Sequence, residues 1–189
     1  MNYKLYTIFF AILGLGIIAL YCISAGYYPI AIVNGNIITA KTFINDYGVA
    51  SVYYQSLLKA YENSSSTSQT LTQVQIQQDV LSGIIENILI DNGAREEMGK
   101  DIDRLVGEKV SEATAIQGIE KAARTVYGLS LDDFKKKILV PQAERDILTG
   151  SLFLKGQKME DWLVAKKKSS TIIILSGKFY WDGENVASK

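Results

Sequence analysis

Residues 30–39 read IAIVNGNIIT, and this stretch decides how the body of the chain begins. Two β-branched segments flank Asn34-Gly35, a pair that favours a tight hairpin turn with positive φ angles. Thr39 follows with a hydroxyl that suits a helix N-cap. The stretch therefore predicts a small sheet that leads directly into a helical body.

The region after residue 39 repeats apolar side chains at helical spacing and predicts a helix to about residue 63. Residues 64–68 are serine and threonine, which predict a polar, flexible connection. A second helix is predicted from about Leu71 to Met98, with Thr70 and Gln73 at the spacing of a capping box. Residues 100–125 predict one or two shorter helices.

The remaining third of the chain continues as helices and ends in a strand. Gly128 ends one helix, Ser130 caps the next, and Pro141 predicts a kink or interruption inside it. A last helix is expected from about Gln157 to the lysines at 166–168. Because an isolated hairpin is marginal in water, we expect 30–38 to pair with the β-branched segment 171–175. The predicted fold is mainly α, closed by a small antiparallel sheet of an N-terminal and a C-terminal strand.

The chain upstream of this body is apolar, with no charged residue between Lys4 and Lys41. Residues 5–24 read LYTIFFAILGLGIIALYCIS, which is long enough for a transmembrane helix, and tyrosines flank both ends as in an aromatic belt. Lys4 and the amino terminus are the positive charges on the leading side, so we expect a cytoplasmic start and an extracytoplasmic body. The predicted membrane-anchor residues are Leu5, Phe9, Phe10, Leu13, Ile17 and Leu20.

Two other readings of the apolar stretch stay open. A cleaved secretory signal would use Ile23-Ser24-Ala25 as its small-residue site. A lipoprotein signal would use Cys22, although Tyr21 stands where a small residue is expected. All three readings place the body outside the cytoplasm. The expected organisation is a cytoplasmic start and anchor (1–28), a helical domain (29–177) and a C-terminal tail (178–189).

Composition argues against most catalytic classes. The chain has 20 basic and 20 acidic residues and no histidine, so histidine-based triads and histidine-ligated zinc are ruled out. The zero net charge gives no footprint for nucleic acid. Asp101 and Asp103 lack the glycine and glutamate spacing of a calcium loop, and Asp132-Asp133 fit the start of a helix. We therefore expect no catalytic residues, no metal and no cofactor.

The order of these features resembles a known family. An apolar N-terminal helix is followed by Val33-Asn34-Gly35-x-x-Ile38-Thr39, then helices, then Tyr127-Gly128-Leu129-Ser130-x-Asp132-Asp133-Phe134. Over roughly residues 29–155 this resembles the amino-terminal chaperone domain of SurA-type, PpiD-type and PrsA-type foldases. The resemblance implies a helical module that holds unfolded clients. Many relatives also carry a parvulin prolyl-isomerase domain, which the 39 residues after Gly150 and the lack of histidine do not accommodate.

These observations predict a membrane-anchored, extracytoplasmic, chaperone-like protein that holds unfolded or extended segments of exported proteins by apolar contacts. Its other predicted partner is the lipid bilayer, contacted through the N-terminal helix. The competing hypothesis is a structural or assembly subunit of an envelope complex that binds one fixed partner; an enzyme is disfavoured. Aromatic side chains with polar tips suit an exposed binding surface, although packing in the core, with Tyr53 alone exposed, is the competing interpretation. The candidate client-binding residues are Tyr47, Tyr53, Tyr54, Leu57 and Tyr61.

Overall fold

The computed structural model describes residues 3–61 and 72–189, which are mostly helical. A 3₁₀ turn (Gly99–Asp101) and a π-helical turn (Lys135–Leu139) join some of the helices. The helices are α1 (Tyr3–Ser24), α2 (Ala40–Tyr61), α3 (Gln73–Met98), α4 (Ile102–Thr114), α5 (Ile119–Tyr127), α6 (Leu131–Phe134), α7 (Val140–Leu154) and α8 (Met159–Ser169). The strands are β1 (Pro29–Val33), β2 (Asn36–Thr39), β3 (Ile172–Ile174), β4 (Phe179–Trp181) and β5 (Val186–Ser188).

Helix α1 has the length and composition expected of a membrane span. Among the described residues, one helix is long and apolar enough to cross a bilayer, and it spans Tyr6–Ser24 within α1. None of that segment is buried by the rest of the protein. A signal sequence near an N-terminus shares these properties. The predicted anchor residues from Leu5 to Leu20 all lie in α1.

The hairpin at residues 29–39 forms as its sequence predicts. Asn34 and Gly35 both adopt positive φ angles, 48° and 86°, as a two-residue hairpin turn requires. Thr39 Oγ1 accepts a hydrogen bond from the Thr42 N–H at 3.2 Å and so caps α2. Strand β1 lies between β2 and β3 and is antiparallel to both, with Val33 opposite Ile172 in the second pair.

Helix α3 is the centre of the protein because it contributes to two apolar clusters. One face of it packs against the sheets, and the C-terminal half packs against α4, α7 and α8. The first cluster contains Ala31, Val33, Ile38, Leu81, Ile85, Leu89, Phe179 and Val186. The second contains Ile90, Ala94, Ile102, Val106, Ala143, Leu148, Leu152 and Met159.

Two local predictions are corrected by the structure. The capping box of α3 is formed by Thr72 and Gln75. The Thr72 hydroxyl accepts a hydrogen bond from the Gln75 N–H at 3.2 Å, and the Gln75 side-chain oxygen accepts one from the Thr72 N–H at 2.8 Å. The predicted box began at Thr70, and the predicted helix start at Leu71; both residues lie outside the described ranges, as does the 64–68 connection. The predicted tail contains the β4–β5 hairpin, because Phe179 and Val186 are buried against the first cluster.

Pro141 interrupts the α-helical geometry as expected, and the interruption is a π-helical turn just before it. The proline has no N–H to donate, and the preceding turn widens so that the Val140 N–H bonds to the Lys135 carbonyl, five residues back. Helix α7 then begins with the proline in its first turn. The π-helical turn therefore absorbs the missing hydrogen bond.

Candidate functional site

An open groove lies between α2 and α3. Its cavity measures about 290 Å³, at the lower end of the usual range of ligand pockets. We call it the α2–α3 groove. It is lined by Asp46, Val49, Ala50, Tyr53 and Tyr54 of α2, by Asp79, Val80, Gly83, Ile84 and Asn87 of α3, and by Tyr127, Lys137 and Ile138.

Helical periodicity places these side chains together. The five lining residues of α2 follow one another at intervals of three, one, three and one, which is one face of a helix. In α3 the groove residues lie beside the buried stripe of Leu81, Ile85 and Leu89, so one helix serves both groove and core. At Gly83 a Cβ atom would meet nothing within 4 Å, and the missing side chain leaves room between the two helices.

A row of aromatic rings forms one wall of the groove. Tyr53 stacks on Tyr127 with ring centroids 5.1 Å apart and planes 12° apart. Tyr54 meets Tyr53 edge to face at 5.8 Å, and Phe134 lies 5.2 Å from Tyr127. Such arrangements stabilise aromatic pairs and present flat apolar area with hydroxyl groups at its edge. The wall is therefore preorganised before anything binds.

Helix α5 is fixed against α2, and this contact holds Tyr127 in place. The Ser56 hydroxyl donates to the Thr125 carbonyl at 3.4 Å. Gly128 ends α5 with a φ of 67°, and a Cβ at this position would lie 3.3 Å from Val52 Cγ1. A larger residue would strain the backbone and crowd α2, so glycine permits the close approach.

The groove has few polar groups, and they differ in whether an oppositely charged side chain pairs with them. Asp46 and Lys137 form an ion pair across the opening, which cancels their charges. Asp79 is exposed and makes no ion pair with any described residue, so it leaves one negative charge on the rim. Partial burial, followed by the charge of Asp79, raises the pKa of Tyr54, and burial likewise raises the pKa of Tyr127. Both hydroxyls therefore stay protonated at neutral pH, and a protonated hydroxyl can donate a hydrogen bond to a ligand.

The candidate residues from the sequence divide between the groove and other places. Tyr53 and Tyr54 line it, whereas Tyr47 stacks on Phe43 at 6.5 Å and Leu57 is half-buried on α2. Tyr61 closes α2, and its side chain lies outside the described part. Tyr53 is half-buried instead of standing free, because Tyr127 covers one face of its ring.

Tyr127, Asp79, Gly83 and Lys137 were missed as site residues. A signal for Tyr127 is present, since it opens the Tyr-Gly-Leu-Ser motif, but that motif indicates a helix boundary and a family resemblance and does not indicate a contact with α2. No local pattern distinguishes Asp79 or Lys137 from other exposed charges, because their meeting depends on how α3 and the π-helical turn pack.

Other charged candidates are engaged in structural contacts. Ser130 Oγ accepts from the Asp133 N–H at 3.1 Å and donates to its carboxylate at 2.7 Å, so the aspartate completes a helix cap. Asp101 and Asp103 pair with arginines at 3.5 and 3.2 Å. The run at 166–168 is ion-paired within the chain, to Glu96, Glu86 and Glu184 respectively.

Comparison with protein-family models, with curated proteins and with solved structures finds no match to this chain.

Proposed function

We propose that the chain is a membrane-anchored, extracytoplasmic, chaperone-like protein that holds extended segments of exported proteins in the α2–α3 groove. The observation that carries the proposal is the groove itself: an aromatic wall and an aliphatic floor, open to solvent, with few polar groups. Open apolar surface of this kind favours contact with another apolar group over water.

The size of the groove sets what it holds. A cavity of about 290 Å³ accommodates one or two large side chains of an extended segment, not the surface of a folded protein. Contacts of this extent give weak affinity, because only a few side chains are buried while the segment is ordered. Weak, apolar binding suits a protein that holds many sequences and releases them.

The order of motifs supports the same proposal. The Val-Asn-Gly hairpin, the N-cap at Thr39 and the Gly128–Ser130 helix junction are formed in the structure. These are the features on which the resemblance to the SurA-type chaperone module rests. The proposal includes binding without isomerase activity.

The anchor supports a location. In this proposal α1 crosses the membrane with its N-terminus in the cytoplasm, so the groove faces the compartment into which exported chains emerge. Tethering raises the effective concentration of the groove near those chains, which compensates for weak affinity.

Filling the groove tests the proposal without removing any of its contacts. Gly83→Leu places a side chain in open space and improves helix propensity, so the domain should stay folded. Because a client then loses the site of one buried side chain, we expect binding of several unrelated unfolded proteins to weaken about tenfold or more. Aggregation suppression and fluorescence anisotropy measure this, and binding should persist in high salt.

The matched control is Gly107→Leu on α4, where a Cβ also meets nothing within 4 Å. This variant should bind clients like the wild type. Equal loss in both variants, or no loss in Gly83→Leu, would contradict the proposed groove. Capture of one folded envelope protein, with no binding to unfolded clients, would favour the assembly-subunit hypothesis instead.

A further inference from the structure

The two most exposed large apolar side chains of the described residues lie together at the end of α7. Phe153 is 78% exposed and Leu154 is 88% exposed, more than any of the large apolar side chains described in α1. We call this pair the α7 tip. Single exposed apolar residues are common on protein surfaces, so the location of this adjacent pair in the fold decides whether it contacts something.

The α7 tip is held by a defined helix end. Gly156 has a φ of 73°, the Gln157 N–H bonds to the Leu152 carbonyl at 2.9 Å, and the Gly156 N–H bonds to the Phe153 carbonyl at 3.0 Å. This pair of bonds is a Schellman motif, which fixes the turn after a helix. It turns Leu152 into the core and leaves Phe153 and Leu154 outside.

The start of α2 is fixed to the end of α1. The Lys41 N–H bonds to the Gly26 carbonyl at 2.8 Å, and the Ala40 N–H bonds to the Tyr28 carbonyl at 3.0 Å. Lys41 Nζ also donates to the Tyr27 hydroxyl at 2.8 Å. The first turn of α2 therefore marks where the candidate membrane helix leaves the bilayer.

The directions of α2, α3 and α7 place the α7 tip at the end of the protein where α2 begins. Tyr54, late in α2, lies beside Asp79, early in α3, so these consecutive helices are antiparallel. Helix α7 is parallel to α3, because Arg145 pairs with Glu86 and Ser151 bonds to Glu97 further along. The start of α2, the end of α3 and the end of α7 consequently point the same way.

We infer that the α7 tip inserts into the surface of the membrane that α1 crosses, so that the domain touches the bilayer at a second point. The inference rests on the proposed membrane location of α1 and goes beyond the proposed client groove. Lysines follow the tip: Lys158 makes no ion pair with any described residue, and Lys155 pairs with Glu97. An apolar pair flanked by lysines suits the boundary between acyl chains and anionic headgroups.

A bilayer fits the tip better than a protein partner does. A stable protein interface buries about 1,200–2,000 Å² in total, and two side chains on a turn are a small part of that. The anchor already brings an apolar phase to this end of the domain. Insertion by two residues adds contact without a matched surface.

Labelling in nanodiscs tests the inference on the full chain. In a Cys22→Ala background, cysteines replace Phe153, Ile116 or Leu13 and carry the same environment-sensitive dye. The discs hold one chain each, in phosphatidylcholine and phosphatidylglycerol with lipids that are spin-labelled at a shallow and at a deep acyl position. Ile116 is the matched control: it is 62% exposed, and it follows α4, which packs along α7 and reaches the π-helical turn at the opposite end.

We expect the spin-labelled lipids to quench dyes at 13 and 153 but not at 116. Adding Leu154→Ser to the Phe153→Cys variant should reduce the quenching, which shows that the tip and not the dye inserts. Quenching at 13 with none at 153 would overturn the tip contact while leaving the anchor in place. Quenching at neither position would contradict both. A second preparation holds several chains in each disc. If the dye at 153 is shielded there but not in single-chain discs, the occupant of the tip is a second copy of the protein, which would also overturn the inference.

Discussion

Gly93 shows how one missing side chain sets the packing of the second cluster. An added Cβ would lie 2.6 Å from Trp162 Cη2 and 3.3 Å from Leu148 Cδ2. The tryptophan ring of α8 therefore rests on the backbone of α3, and this contact positions α8 and the strand that follows it.

Gly93→Ala should lower the free energy of unfolding by about 1–3 kcal/mol, because overpacking a tight core forces side chains from their rotamers. Urea unfolding followed by tryptophan fluorescence measures the change. Gly107→Ala is the control: its Cβ meets open space, and alanine is the better helix former by about 1 kcal/mol. If Gly93→Ala is as stable as the wild type, the described contact with Trp162 is wrong.

Glu144 is an acidic residue of α7 that is only 8% exposed. Burial, followed by the nearby charge of Asp91, raises its pKa to about 7, and Arg95 opposes the shift. Arg95 is itself paired with Asp91 at 2.7 Å and with Asp103 at 3.2 Å, so its charge is already shared. The site therefore favours the neutral carboxyl group.

Because the folded protein holds this proton more tightly than the unfolded chain, stability should fall as pH rises from about 4.5 to about 7. The full shift corresponds to about 3 kcal/mol. Glu144→Gln, which stays neutral, should remove most of this slope in urea unfolding measured across the pH range. Glu112→Gln, on the exposed surface of α4, should keep it. An unchanged slope in Glu144→Gln would contradict the raised pKa.

At the scale of elements, α1 carries the prediction about topology. A reporter that is active only after export, fused after Lys189, should be active, and the same reporter fused before the first helix should be inactive. The physical reason is the positive start at Lys4 followed by an uncharged helix of membrane length. Activity of the N-terminal fusion alone would reverse the proposed orientation. Reversing the charge balance, with Lys4→Glu and two lysines added after Tyr28, should weaken the activity of the C-terminal fusion.

Local patterns predicted most elements of the fold. The Asn34-Gly35 turn, the Thr39 and Ser130 caps and the helical stripes act within a few residues, so the sequence alone identifies them. The predicted C-terminal tail is wrong where it covers the β4–β5 hairpin, although Asp182-Gly183 between aromatic and β-branched residues is a hairpin signal. Its strands have three residues each, and their stability comes from packing Phe179 and Val186 against distant elements.

The sequence predicts only part of the groove, because some lining residues follow a local pattern whereas others meet through packing between distant elements. Its α2 face follows helical spacing, and Tyr53 and Tyr54 could be chosen from it. The stacking of Tyr53 on Tyr127 joins residues 74 positions apart and depends on how α5 packs on α2. The open space at Gly83 likewise depends on how α2 and α3 pack, which no local pattern indicates.

For the whole molecule, the central claim is that extended segments of other proteins occupy the α2–α3 groove. The most direct measurement replaces Asp79, on the rim, with a photo-crosslinking amino acid in the full-length protein in membranes. The control position is Gln55, which is exposed on the opposite face of α2. We predict crosslinks from position 79, and not from position 55, to several unrelated unfolded proteins. Equal crosslinking from both positions, or crosslinks from position 79 to a single folded protein, would contradict the account.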